Sequence, residues 1–229
     1  MLRLPRPVAC ALASLGCAAA IGCTGDVETP TYDFGLFPEV AHSGFNPKAS
    51  FKVMFGTGAT DPSWSIADPS IATIAPSPPP KVSGTTVSSM SFALVTATKA
   101  GETTITMTSG GRTLTARLVV KAYSDEDLAA GKARYEDAST DPARAPCASC
   151  HAKEGGVDHS PLKMAGFDDP TIVEVIQKAT YPASSTGRSA TSAFAPRGPL
   201  EFTGHTWNLS EPEKSGILAH LRSLPLGGL

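Results

Sequence analysis

The sequence predicts two domains, an all-β sandwich followed by an all-α domain. Two features of the 229 residues support this division. Residues 33–122 are dense in Thr, Ser, Val, Gly and Pro and alternate apolar with polar residues, which is typical of half-buried strands joined by turns. From residue 123 onward, apolar residues recur at helical spacing behind residues that commonly begin helices. A chain of this length can bury a hydrophobic core in each domain.

The first 22 residues have the composition of a secretory signal peptide. Two arginines precede an apolar run that contains no charged residue and is shorter than a membrane-spanning helix. The run ends at Ala20-Ile21-Gly22-Cys23, which resembles a lipobox, where cleavage before the cysteine is followed by acylation of its thiol. We therefore expect removal of residues 1–22, lipidation of Cys23, and a linker over 23–32. Ordinary cleavage nearby, with Cys23 as an incidental thiol, is the alternative.

The lipid anchor predicts a location in the cell envelope, facing the periplasm or the surface. Thr24 stands where an aspartate would retain a lipoprotein in the inner membrane, which favours the outer membrane. The net charge of −2 becomes −4 when the two arginines of the signal are removed. Because this negative charge belongs to the second domain, a partner docked by charge would be basic. The charge also excludes a nucleic-acid-binding protein.

A β-hairpin is the clearest unit of the first domain. Residues 104–108 and 113–120 alternate apolar with polar residues on either side of a Gly-Gly turn. Further strands are expected at 51–55 and 89–95, and their spacing is typical of a sandwich.

Two segments of this domain resemble a known family. They are Trp64-Ser65-Ile66-Ala67-Asp68-Pro69-Ser70-Ile71-Ala72-Thr73-Ile74 and Leu94-Val95-Thr96-Ala97-Thr98-Lys99-Ala100-Gly101-Glu102-Thr103-Thr104-Ile105-Thr106. Both are similar to signatures of bacterial immunoglobulin-like domains, over about residues 33–122. The resemblance implies an immunoglobulin-like β-sandwich that acts as a spacer or adhesive module, with Trp64 in its core and no active site.

The second domain contains the motif Cys147-Ala148-Ser149-Cys150-His151. Two thiols three positions apart can add to the two vinyl groups on one edge of a haem, and the histidine that follows can reach the iron. The motif therefore predicts one covalently attached haem c, held by Cys147, Cys150 and His151. A structural zinc site would need a second pair of ligands. A thioredoxin-like pair belongs at a strand-to-helix turn, which the loop before Cys147 does not provide.

The flanks of the motif resemble a single-haem cytochrome c, over about residues 124–225. The resemblance implies an all-α cytochrome c fold for residues 123–229, in which a first helix with Gly131 and Tyr135 is crossed by the last helix. Residues that commonly begin helices support three of its helices, and they are Ser124-Asp125-Glu126-Asp127, Asp169-Pro170 and Ser210-Glu211-Pro212-Glu213.

The second axial ligand of the iron follows from the same resemblance. The family usually has a methionine in the loop before the last helix, whereas this chain has His205 there, 54 residues after His151. The resemblance therefore implies ligation by His205, with Met164 as the alternative. It also suggests Arg197 and Trp207 as hydrogen-bond donors to the haem propionates.

The remaining histidines are less suited to ligation. His159 follows the motif closely, His220 is expected to be exposed on the last helix, and His42 belongs to the first domain.

A haem with both axial positions filled by protein has no open site for a substrate. The sequence therefore predicts a membrane-anchored one-electron carrier that is not an enzyme and that exchanges electrons with a redox protein. A haem-based sensor or enzyme with an open iron site is one alternative, and a surface adhesion or structural protein with an accessory haem domain is another. The sequence contains no phosphate-binding loop, dinucleotide fingerprint, zinc-protease helix or nucleophile elbow.

Overall fold

The computed structural model describes residues 34–82, 85–86, 90–136, 146–151, 159–178 and 208–226. Its strands are β1 (Leu36–Phe37), β2 (Val40–Phe45), β3 (Lys52–Thr57), β4 (Ser63–Ile66), β5 (Ala72–Ser77), β6 (Lys81–Val82), β7 (Thr85–Thr86), β8 (Ser91–Ala97), β9 (Gly101–Ser109) and β10 (Arg112–Ala122). Its helices are α1 (Asp125–Glu136), α2 (Ala148–His151), α3 (Pro161–Met164), α4 (Asp169–Lys178) and α5 (Glu211–Ser223). None of the helices in these ranges is long and apolar enough to cross a membrane.

Two four-stranded sheets dominate the described residues. Their strand orders are β1-β3-β8-β5 and β2-β10-β9-β4, and β6 pairs with β7 alone. Neighbouring strands are antiparallel, except that β2 runs parallel to β10. This two-sheet arrangement is the one that the alternating pattern of residues 33–122 predicts.

The hairpin of β9 and β10 has the predicted register. Thr108 pairs with Thr113 across the turn. Gly110 and Gly111 make that turn with φ angles of 55° and 75°, which residues with a side chain rarely adopt. Alternate residues of both strands, Ile105 among them, are buried in the core between the sheets, and the threonines between them face outward.

A second hydrophobic core joins the helices to one end of the sandwich. Phe51 and Tyr123 come from the sandwich, and their rings stack with centroids 6.0 Å apart. The other buried members belong to the helical region, and they are Tyr135, Cys147, Ile172, Leu209, Ile217, Leu218, Ala219, Leu221 and Leu224. In addition, the backbone N–H of His42 in β2 donates to the carbonyl of Ala165 at 2.7 Å. The described residues from Phe34 onward therefore belong to one compact unit.

The predicted fold class, a sandwich followed by an all-α cytochrome c domain, is wrong. The described residues form a mostly β, two-sheet unit in which helices of 4 to 13 residues pack on the sandwich and on one another. Helical spacing shows which side of a helix is buried, but it does not show what covers that side. The contribution of Phe51 and Tyr123 to the helical core could therefore not be recognised. The expected signal peptide and linker, residues 1–32, lie outside the described residues.

Two helices begin as predicted. In front of α1, the backbone N–H of Asp127 donates to the hydroxyl of Ser124 at 3.0 Å, and the backbone N–H of Ser124 donates to the Asp127 carboxylate at 2.9 Å. A capping box of the same kind joins Ser210 and Glu213 at the start of α5, where the backbone N–H of Ser210 donates to Glu213 Oε2 at 3.0 Å. Each box satisfies backbone donors that a helix leaves unpaired at its first turn.

The start of α4 lies one residue earlier than the sequence predicts. Asp168, not Asp169, caps this helix, because Asp168 Oδ1 accepts a hydrogen bond from the backbone N–H of Thr171 at 2.8 Å. Both aspartates precede the same helical pattern, so that the pattern alone does not choose between them. As a consequence, the carboxylate of Asp169 is available for contacts with other elements.

The first and last helices, α1 and α5, cross at a pair of glycines. A Cβ built on Gly131 would lie 1.8 Å from the carbonyl oxygen of Gly216 and 2.9 Å from the Cβ of His220. Neither a backbone carbonyl nor a Cβ can move aside as the end of a flexible side chain can. The close approach of the two helices therefore requires glycine at position 131.

Replacing Gly131 with alanine should destabilise the protein, although alanine is the better helix former by about 1 kcal/mol. The added methyl group must push the two helices apart, and overpacking of this kind costs about 1–3 kcal/mol. Gly166→Ala is the matched control, because its Cβ would meet only Pro38, at 3.7 Å. Denaturant unfolding followed by circular dichroism measures both variants, and equal stability of the two would contradict the argument.

Candidate functional site

A pocket in the helical region brings part of the cysteine–histidine motif together with apolar side chains. Its lining residues are Tyr135, Cys147, His151, His159, Met164, Phe167, Thr171, Ile172, Val175, Ile176, Ile217 and Leu221. They enclose about 540 Å³, including space that is open to solvent. Because most of the lining is apolar and its polar groups are few, the pocket suits a largely apolar small molecule.

The motif is wound into one helical turn. The backbone N–H of His151 donates to the carbonyl of Cys147 at 3.0 Å, so that these two residues lie one turn apart on the same side. Cys147 is buried and His151 is half-buried, and both line the pocket. Cys150 belongs to the same short helix, α2, but its side chain lies outside what the structure describes.

Two imidazole rings meet in this pocket. The rings of His151 and His159 stack with centroids 3.8 Å apart and an angle of 28° between their planes. The hydroxyl of Tyr135 lies 3.4 Å from Nδ1 of His159, and the Tyr135 ring lies 4.7 Å from that of His220. His159, which sequence reasoning set aside because it follows the motif closely, is therefore part of the pocket.

Arg222 supports the pocket wall that carries Met164 and Phe167. Its Nη1 donates to the carbonyl of Met164 at 2.9 Å, and its Nη2 donates to the carbonyl of Phe167 at 2.6 Å. Nη2 also donates to Asp169 Oδ1 at 3.1 Å. The side chain of Arg222 is only 1% exposed. A charge this deeply buried is tolerated when a carboxylate and several acceptors surround it.

Asp169 links this arginine to the sandwich. Its Oδ2 accepts hydrogen bonds from Lys121 Nζ at 3.0 Å and from the Tyr123 hydroxyl at 3.3 Å. Burial alone would raise the pKa of Asp169, but the positive charges of Arg222 and Lys121 outweigh burial and lower this pKa. Burial and the neighbouring Asp169 carboxylate raise the pKa of Tyr123, so that its hydroxyl stays protonated and donates.

The structure brings three of the predicted site residues together, namely Cys147, His151 and Met164. The predicted residues that lie outside the described part of the chain are Cys23, Arg197, His205 and Trp207. The apolar wall from α4 was missed, although Ile172, Val175 and Ile176 stand at helical spacing and could have been recognised as one face.

The expected exposure of His220 is corrected. His220 is 9% exposed, not exposed as its place on the last helix suggested. It is covered because α1 and α5 cross beside it, and this burial lowers its pKa. His42 lies in β2 of the sandwich, and its backbone N–H also donates to the carbonyl of Ala165. Burial, and then the nearby Arg222, lower the pKa of His42.

Comparison with known proteins identifies no family. No protein-family model matches the chain, and no curated protein matches it. Among solved structures, domains 5-6 of the S-layer protein SbsC match 38% of this chain and 42% of theirs, with 16% identity and a TM-score of 0.29. Domains 4 and 5 of SbsC match 39% of this chain and 44% of theirs, with 20% identity and a TM-score of 0.28. The chain thus spans less than half of each of these two structures, and likeness at this level does not bear on function.

The classification of the chain as a metal-binding, electron-transferring cytochrome c is also corrected. Within the described ranges, no three or more His, Cys, Asp or Glu side chains are grouped so that they could hold a metal ion. The fold of the same residues is β-rich, with two sheets and short helices. The cysteine–histidine motif and its helical flanks suggested the class, but a short motif and helical spacing do not determine the fold that surrounds them.

Stability should fall as the pH is lowered below about 6.5, the usual pKa of histidine. His42 and His220 have folded-state pKa values below that of the unfolded chain, so the unfolded state takes up protons first. Their contribution to stability is present above the unfolded pKa and is lost as the pH falls through the folded one. Unfolding free energies measured between pH 8 and pH 5 should therefore decline less steeply in the double variant His42→Gln, His220→Gln. If the unfolding free energy fell with pH equally steeply in the natural chain and in the double variant, the two histidines would not be the origin of the pH dependence.

Proposed function

We propose that this chain is a cell-surface structural protein whose sandwich binds an envelope polymer and whose helical pocket holds one covalently attached haem as an accessory group. The observation that carries the proposal is that the pocket and the sandwich share one core, through Phe51 and Tyr123. A group attached in the pocket would therefore be built into the surface protein itself. Lipidation of Cys23 would hold the protein in the envelope, most simply at the outer membrane.

The outer side of β4, β9 and β10 offers a surface for such a polymer. It presents a grid of uncharged hydroxyl side chains, which we call the hydroxyl face, made of Ser63, Ser65, Thr104, Thr106, Thr108, Thr113 and Thr115. Strand pairing aligns them in rows, since Ser65 pairs with Thr106 and Thr106 pairs with Thr115. The exposed ion pair of Arg117 and Glu102 adjoins this face, since Arg117 pairs with Thr104. Hydroxyl groups both donate and accept hydrogen bonds, so that the face matches a hydroxyl-rich polymer. A polysaccharide of the envelope is the partner that fits this chemistry.

Binding to polysaccharide should depend on the hydroxyl face. In co-sedimentation of the full mature chain with purified envelope polysaccharide, Thr106→Lys should weaken binding by about tenfold or more, because a long charged side chain at the centre of the grid must be desolvated. Thr73→Lys is the matched control, because Thr73 is an exposed threonine on β5 of the other sheet. The structural role would be refuted if neither the natural chain nor Thr73→Lys bound the polysaccharide. It would also be refuted if Thr106→Lys bound as well as the natural chain.

The lining of the pocket supports the proposal of covalent haem attachment. Cys147 and His151 lie on one wall, as a haem held through a thioether and an imidazole requires, and the other walls are apolar. Cys147 and Cys150 would form the two thioethers, and His151 would ligate the iron. His205 or Met164 would be the second ligand, and Arg197 and Trp207 would contact the propionates. Such attachment needs no cluster of protein ligands, since the porphyrin nitrogens supply most of the iron's coordination.

Haem attachment should depend on both cysteines. We expect the pigment of the exported protein to stay with the polypeptide in acidified acetone, because thioether bonds resist extraction. Cys147→Ala combined with Cys150→Ala should remove the pigment, whereas Ser149→Ala, in the same helical turn, should keep it. The absorbance spectrum of the purified protein measures this. Pigment that is extracted from the natural chain, or no pigment in it at all, would rule the attachment out.

A further inference from the structure

Arg222 connects the sandwich to the pocket through an unbroken set of hydrogen bonds. On the sandwich side, Lys121 in β10 and Tyr123 directly after it both donate to Asp169 Oδ2. Asp169 Oδ1 accepts from Arg222, and Arg222 donates to the carbonyls of Met164 and Phe167. The side chains of these last two residues line the pocket.

The wall held by Arg222 is a short segment between longer elements. Its backbone also bonds to the sandwich, where the N–H of His42 in β2 donates to the carbonyl of Ala165 at 2.7 Å. Met164 ends α3, which has four residues, and Phe167 lies in the turn that follows. The backbone N–H of Phe167 donates to the carbonyl of Met164 at 3.1 Å. A short helix and a turn hold their shape mainly through contacts with neighbours. The planar guanidinium is suited to this role, since it can bond two carbonyls and a carboxylate at once.

We infer that Arg222 is a positioning residue for the pocket wall of Met164 and Phe167, and that the contacts of Lys121 and Tyr123 with Asp169 control that wall from the sandwich. The inference deepens the proposed function, because it concerns the regulation of the same pocket. Loss of a contact at the end of β10 loosens Asp169, then Arg222, and finally the wall. A molecule that binds at the end of β10 would change access to the pocket by the same route.

The test measures how fast hydrogen peroxide oxidises Met164 in the full chain, by mass spectrometry. Met107, which is fully buried between the sheets, serves as the internal reference. Asp169→Asn should raise the Met164 rate by about fivefold or more, as expected for coupled sites. Lys121→Met and Tyr123→Phe remove one contact each and should raise it by about two- to fivefold. Tyr123→Phe keeps the ring that stacks on Phe51.

Glu102→Gln is the control, because it removes an exposed ion pair with Arg117 and should leave the Met164 rate unchanged. Amide hydrogen exchange at Ala165 and Phe167 should accelerate in the same variants as Met164 oxidation. If Asp169→Asn does not fold, Lys121→Met and Tyr123→Phe decide the result. The inference would be overturned if the Met164 oxidation rate were unchanged in both Lys121→Met and Tyr123→Phe. It would also be overturned if the oxidation rate of Met107 rose in parallel with that of Met164. Neither readout needs haem, so that a failure of haem attachment refutes the proposed function alone.

Discussion

The burial of the Arg222 guanidinium is the constraint on which the arrangement of the helices depends. A buried positive charge is costly unless a negative partner and further acceptors surround it. Asp169 and the carbonyls of Met164 and Phe167 meet that requirement, and they come from α4, from α3 and from the turn between them. The position of α5 therefore determines where these two short helices lie. Removing the Asp169 carboxylate would leave the arginine charge without a negative partner, although its bonds to the carbonyls of Met164 and Phe167 would remain.

The same requirement explains why the helices stay attached to the sandwich. Asp169 satisfies Arg222 with one oxygen and accepts from Lys121 and Tyr123 with the other. Around this polar centre, apolar side chains of α1, α4 and α5 bury the rings of Phe51 and Tyr123. Polar and apolar contacts thus hold the helices against the same end of the sandwich. The polar contacts set the orientation, because hydrogen bonds are directional, and the apolar contacts supply burial.

Local features were predictable from the sequence. Of the contacts between distant elements, only the crossing of the first and last helices was expected, and that expectation came from a resemblance and not from the residues themselves. The hairpin turn at Gly110 and the caps at Ser124 and Ser210 depend on neighbours within a few residues, so the local sequence predicts them. The fold class depends on which surfaces meet, and the helical pattern after residue 123 was wrongly taken for a separate all-α domain.

The same limit applies to the candidate site. The motif located Cys147 and His151, but the stacking of His159 on His151 depends on how the chain returns to the pocket. Likewise, the burial of His220 depends on the crossing of α1 and α5 at Gly131. Neither contact can be predicted from the residues that are close to these histidines in the sequence. The role of Arg222 is hidden for the same reason, since its partners lie more than 50 residues away in the chain.

The parallel pairing of β2 with β10 has a mechanical consequence. Six residue pairs join these strands, and the backbone N–H of Tyr123 extends the ladder by donating to the carbonyl of Phe45. A tension applied between the start of β2 and the end of β10 acts along the strands, across hydrogen bonds that are evenly spaced. The ladder is then loaded in shear, with all its bonds sharing the force, whereas an antiparallel hairpin pulled at its two ends opens one bond at a time. The sandwich is therefore built to resist pulling between its two ends.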